Sequence, residues 1–267
     1  MTTERPALEL IEDAIQLLRE ASAPVYALYV SGTTPFLLTL FSFCTAMSYS
    51  RNAAEQCAPS ALWIALSYCW MKGFHAFCCR ELVRVYTGNE ARWWNARALV
   101  AIWSRQIAVQ PFGLVLKPLS WLLVFPGVYI TTFFQNVTII GGTAPHDLRK
   151  SWELACLWPR QSFAVFGLLS LLAPVLLLDL YALAVMVPFG LKMFFGIETF
   201  LTHSITWIYS SVLFIALSAV AYFLVDLLIK AIEVIRCCDG DSLTTGEDLS
   251  RRLRELQKSG GQGNIPA

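Results

Sequence analysis

FAVFGLLSLLAPVLLLDLYALAVMV, from Phe163 to Val187, decides the fold. It is apolar at nearly every place and carries one charge, Asp179. Hydrocarbon about 30 Å thick is crossed by roughly 20 apolar residues of helix, so this stretch is long enough to span. It lacks the alternation of apolar and polar residues that marks the wall of a spanning β-barrel. A backbone in hydrocarbon has no water to bond, so its amides must pair within the segment, and a helix does that.

Working outward, the same character returns at Ile205 to Lys230, Val25 to Met47 and Ala61 to Cys79. Across the chain 56% of residues are hydrophobic and 15% charged, against about 45–50% and 25% in soluble domains. The fold class expected is all-α, a polytopic transmembrane bundle of about six spans with cytoplasmic amphipathic helices. A formal net charge of +1 gives no basic field for nucleic acid. The acidic N-terminus lacks the cationic start and short apolar core of a signal peptide, and its retention is expected.

Residues 5 to 21 predict an amphipathic helix with Leu8, Ile11, Ile15 and Leu18 on one stripe. Surface helices that bind anionic lipid present Lys and Arg. This one is net acidic, so packing against its own bundle or a partner protein is expected. The first span, 25–47, contains Gly32 to Pro35, where a bend or break is expected. The paired Trp93 and Trp94 beside arginines suit the headgroup level of a bilayer.

Leu99 to Ile140 is too long for one crossing and holds Pro111, Pro118 and Pro126. One crossing, two, or a re-entrant pair are all open to it. Charge favours two, 99–116 and 119–140, turned at Lys117-Pro118. Six spans then keep most basic residues on the cytoplasmic side, leaving Arg51, Lys117 and Lys192 opposite, as the positive-inside rule requires. The organisation expected is a cytoplasmic helix at 1–23 and a bundle at 24–236, with spans at about 25–47, 61–79, 99–116, 119–140, 163–187 and 205–230. A cytoplasmic tail at 237–267 follows, with a short helix marked by Leu249, Leu253 and Leu256.

Charges inside spans cost a few kcal/mol at the bilayer centre and are where function is sought first. Here they are Lys72, His75, Arg105, Asp179, Asp226 and Lys230. Lys72 is expected to pair with Asp226 or to snorkel, with a transport or proton-relay role as the alternative. Asp179 is expected to fix helix packing through an internal hydrogen bond or by facing Arg105, with a substrate or ion site as the alternative. No metal or cofactor is expected. The three histidines are dispersed, no Cys-x-x-Cys occurs, and Cys78-Cys79 and Cys237-Cys238 read as small buried apolar residues. Catalytic motifs of the zincin, hydrolase and phosphate-loop types do not occur either. Asn136-Val137-Thr138 matches a glycosylation acceptor but falls at the cytoplasmic end of a span, where Gln135 and Asn136 are expected to satisfy neighbouring helices.

Two stretches carry a resemblance. Leu148-Arg149-Lys150-Ser151-Trp152-Glu153-Leu154, before the apolar run from Phe163, resembles the basic Ser-Trp element preceding a span in bacterial glycerophosphodiester phosphodiesterase membrane-domain proteins and their multi-pass relatives. Ile229 to Arg236, followed by Gly246-Glu247-Asp248-Leu249, is similar to tails of bacterial inner-membrane proteins. The resemblance implies a six-helix bundle in the bacterial inner membrane, with amphipathic elements at the cytoplasmic surface. In that family the phosphodiesterase chemistry belongs to a separate soluble domain, so no catalytic residue is carried over. The leading expectation is a non-catalytic scaffold or accessory subunit that engages a partner through the Leu8–Leu18 and Leu249–Leu256 helices. A small transporter or channel is the alternative, and an enzyme acting on lipid is weaker still.

Overall fold

The computed structural model describes residues 5–88, 96–123, 125–141, 145–199 and 210–246. These form eight helices and no strand: α1 (Ala7–Glu20), α2 (Ala23–Tyr49), α3 (Ala53–Thr87), α4 (Ala96–Trp121), α5 (Phe125–Ile140), α6 (Pro145–Cys156), α7 (Pro159–Phe195) and α8 (Ser211–Thr245). Four of them, α2, α4, α7 and α8, are long and apolar enough to cross a membrane. Outward-facing Leu171, Val175, Leu178, Leu183 and Met186 on α7 are exposed. An apolar surface of that extent needs a cover other than water.

The bundle is organised around α8. Ala231 to Cys237 are buried at seven successive positions, so the helix is enclosed on every side there. The helices α1, α2, α3, α5, α6 and α7 all pack against it. On α1 the face toward the bundle carries Leu10, Ala14 and Leu17, whereas Leu8 and Ile15 are exposed. The apolar stripe expected from spacing was therefore turned by part of a helical step. Apolar residues cover more than half of the α1 circumference, and α8 takes the smaller, closer-packing set.

Of the bend or break expected in α2 the break is absent, and the expected hairpin turn lies further along the chain. Helix α2 runs unbroken through Gly32 to Pro35. Proline has no N–H, so the Ser31 carbonyl one turn earlier loses its helical donor. The Trp70 indole N–H of α3 supplies a replacement at 3.2 Å. Gly32 lets the two helices approach this closely, since a Cβ there would stand 2.6 Å from Phe74 Cβ. The second correction concerns the hairpin. Lys117 and Pro118 lie within α4, and the turn to α5 falls at Leu122-Leu123. Gln106, Gln110, Gly113, Lys117 and Ser120 follow a spacing of four and three, which holds Lys117 on the inward face of α4.

Helices α7 and α8 also run past the spans expected of them, α7 through Pro188 to Phe195 and α8 through Arg236 to Thr245. The extension of α8 is clasped by polar contacts. Arg5 meets Asp13 at 3.0 Å and Asp239 at 3.5 Å, and the Tyr86 hydroxyl donates to Asp239 at 2.9 Å. Lys150 of α6 pairs with Asp241 at 2.6 Å. Burial first, and the Asp239 carboxylate second, push the Tyr86 phenol above its ordinary pKa. The Trp93-Trp94 segment, His203, residues 205–209 and the Leu249–Leu256 helix lie outside the described residues.

Candidate functional site

Asp226, Lys230, Glu233 and Arg236 share one stripe of α8, spaced by four and three residues and all 4% exposed or less. Ten residues of helix set its ends about 15 Å apart. Charges buried at this depth need partners, because an unpaired one costs several kcal/mol. The surrounding helices provide them in layers.

At the first layer Asp226 pairs with Lys230. Its other contacts come from Tyr29, whose hydroxyl donates at 3.2 Å, and from Gln135, whose amide donates at 3.4 Å. Tyr29 also bonds the Phe223 carbonyl at 2.6 Å and stacks on His75 with ring centroids 4.7 Å apart. His75 shares a 3.0 Å hydrogen bond with Thr33 through Nε2. Its Nδ1 stands 4.0 Å from Asp226 Oδ2 and makes no hydrogen bond among the described residues. Either partner can donate in that bond; in the tautomer where Thr33 donates to Nε2, the ring proton sits on Nδ1, the nitrogen nearest the carboxylate. A small shift of either group closes that gap.

At the second layer Arg236 grips both Glu233 oxygens, at 2.9 and 3.1 Å. It also donates to Gln161 at 3.1 Å and to Ser162 at 2.7 Å, while Thr132 donates to Glu233 at 3.5 Å. Gln161 in turn donates to the Arg5 carbonyl at 3.0 Å and so ties the start of α1 to the stripe. A third group lies between α4 and α5. Gln110 donates to Gln106 at 3.0 Å and to Thr138 at 2.9 Å, and Gln106 donates to the Val137 carbonyl at 3.2 Å.

The residues singled out by sequence divide into two sets. Lys72 and Asp226 come into one interior cluster, where each feels the other's charge, but the direct partner of Asp226 is Lys230. Lys72 Nζ stands instead 5.4 Å from the centre of the Tyr68 ring. Asp179 and Arg105 are exposed on α7 and α4, and no ion pair joins them among the described residues. Arg105 acts electrostatically on Arg80. Asn136 is 2% exposed and donates to the Ser151 carbonyl at 3.2 Å, holding α6 to α5. It is thus closed to a glycosylating enzyme. Sequence reasoning missed Lys117, Glu233 and Arg236. The signal for the last two was the four-and-three spacing that continues from Asp226.

Fold and site together define the class: an α-helical membrane protein with an ionic chain along its interior. No family model, curated protein or solved structure matches the chain.

Proposed function

We propose that the chain crosses the bacterial inner membrane six times with both termini cytoplasmic, and that it is a small transporter or channel for a charged solute. The observation that supports this reading is the stripe Asp226–Lys230–Glu233–Arg236, buried along the helix against which α1, α2, α3, α5, α6 and α7 pack. Ionisable groups in that position are costly to insert and serve by default as parts of ion or substrate paths. Packing supports crossings by α3 and α5 beside the four helices that are apolar enough by themselves. Helix α5 has 16 residues, about 24 Å of rise, and is enclosed by α3, α4, α6, α7 and α8, so it needs little lipid-facing surface.

Flux in proteoliposomes is the direct test. Asp226→Asn keeps the shape and removes the charge that Lys230 and His75 face, so the reading expects flux of a charged solute to fall at least tenfold. Flux that is absent in the parent, or unchanged in the variant, defeats it. Maleimide labelling from each side of a cysteine placed at Leu123 and of another at His146 checks the crossings: Leu123 is expected outside and His146 inside.

One observation favours a second reading, the non-catalytic scaffold. Leu8 and Ile15 of α1 and Trp152 of α6 remain exposed beside the clasped end of α8. A partner docking there would be released by Leu8→Lys and Ile15→Lys with the bundle intact. Cross-linking that does not respond to those changes removes this alternative.

A further inference from the structure

We infer that the groove between α2 and α8 takes the apolar tail of an anionic amphiphile, a single-chain carboxylate of the fatty-acid kind, whose head is received by Lys72 behind it. This rests on the transport reading and names the class of its charged solute. The groove is a cavity of about 370 Å³ whose walls include Phe36 and Leu40 of α2 and Phe214, Ile215, Ala219 and Phe223 of α8. That volume holds about twelve water-sized groups at about 30 Å³ each, the bulk of one alkyl chain rather than two. Phe214 and Tyr222, which line it, are exposed. The groove therefore opens at the surface, on a stretch of α8 apolar enough to lie in a membrane. A wall of this kind selects an apolar tail, and the bilayer is where such tails are found.

The inner end of the groove is closed by rings. Phe36 meets Phe223 and Tyr68 edge-on, with centroids 5.9 and 6.1 Å apart. The ionic layer begins at once behind them, because the Tyr29 hydroxyl that bonds the Phe223 carbonyl also donates to Asp226. Tyr68 joins the groove to a cation: its ring borders Phe36, and Lys72 Nζ stands 5.4 Å from its centre. Lys72 is 6% exposed and makes no hydrogen bond or ion pair among the described residues. A ring face attracts an ammonium far less than a carboxylate does, so a carboxylate head improves on the contact Lys72 has. A cationic head would face that ammonium and find Asp226 already engaged by Lys230, Tyr29 and Gln135. The Tyr68 hydroxyl also makes no hydrogen bond among the described residues, so packing alone holds the ring that must turn for the head to pass.

The test uses the full chain in phosphatidylcholine nanodiscs and palmitate carrying a diazirine near the end of its chain, with labelled peptides read by mass spectrometry. Saturable labelling is expected on the stretches of α2 and α8 that line the groove. Dodecanoate should compete at least tenfold better than dodecanol or dodecyltrimethylammonium. Ala219→Trp fills the groove and should cut labelling at least tenfold, whereas Leu178→Phe, on the exposed face of α7, should leave it unchanged. Lys72→Met should abolish the preference for dodecanoate over dodecanol, and Lys72→Arg should retain it. If Lys72→Met does not fold, Ala219→Trp and the order of competitors in the parent carry the comparison. Equal competition by dodecanol, labelling indifferent to Ala219→Trp, or an unchanged preference in Lys72→Met overturns the inference. So does competition by phosphatidylglycerol equal to that of dodecanoate, which would mark an ordinary lipid contact. A disulfide between two copies carrying a cysteine at Ile215 would show the groove covered by a second chain and overturns it too. Flux of a small hydrophilic ion without labelling of the groove sinks this inference and leaves the transport reading standing. Labelling without flux of any charged solute upholds the site and sinks passage.

Discussion

Arg236 spends its guanidinium on three partners, Glu233, Gln161 and Ser162, and all of them are buried. Removing one member of such a set leaves an unpaired charge where water cannot reach it. Arg236→Met or Glu233→Gln alone should cost about 3–5 kcal/mol, read from unfolding in mixed detergent micelles. The double variant should cost no more than either single one, because no lone charge remains. Additive losses would show that the two residues do not act as a pair. At this scale the sequence was partly legible. Lys72 and Asp226 stand out as charges among apolar neighbours, and their meeting inside the bundle follows from spans of roughly known length. Lys117 was hidden by its own sequence context. Followed by Pro118, it looked like a turn, and a cation at a turn fits a charge count as well as a cation in the interior. His75 drew notice as an ionisable residue within a span, while its bond to Thr33 depended on how α2 and α3 align, which spacing does not give.

Proline shows the same limit at the scale of the helix. A break was expected in α2 because Pro35 removes a backbone bond, and the reasoning was sound for an isolated helix. What restores continuity is a side chain of another element, Trp70, placed on the freed Ser31 carbonyl at 3.2 Å. Trp70→Phe keeps the ring and deletes the donor, so it should cost about 1 kcal/mol, the usual net worth of one hydrogen bond. In a Pro35→Ala background the backbone N–H returns to Ser31, and the cost of Trp70→Phe should shrink toward zero. Equal costs in both backgrounds, measured by the same unfolding assay, would exclude the replacement. Apolar length was the legible part of each element. The side of α1 that packs inward was not, since Leu8 and Leu10 are equally apolar and only contact with α8 chooses between them.

Length also governs the molecule as a whole. Helix α8 has 35 residues, about 52 Å of rise, against hydrocarbon about 30 Å thick. A segment of about 20 Å therefore projects from the membrane, and the structure wraps the Asp239–Asp241 end of it with Arg5, Tyr86 and Lys150. This clasp has a pH dependence of determined sign. The Tyr86 phenol is raised above its ordinary value by burial and by Asp239, so the folded clasp resists losing the proton that an unfolded chain gives up at about pH 10. Its contribution is whole below that pH and declines as pH rises above it, because there the unfolded state binds fewer protons. Hydrogen exchange of the α1 amides should accelerate above about pH 10, beyond the intrinsic base-catalysed rate. Tyr86→Phe should lower α1 protection at neutral pH and remove the extra alkaline step. Asp239→Asn should loosen α1 at neutral pH by releasing both Arg5 and Tyr86. If α1 exchange keeps its alkaline step in Tyr86→Phe, the clasp is not held through this phenol, and Arg5 with its two carboxylates is what fastens the N-terminal helix to the end of α8.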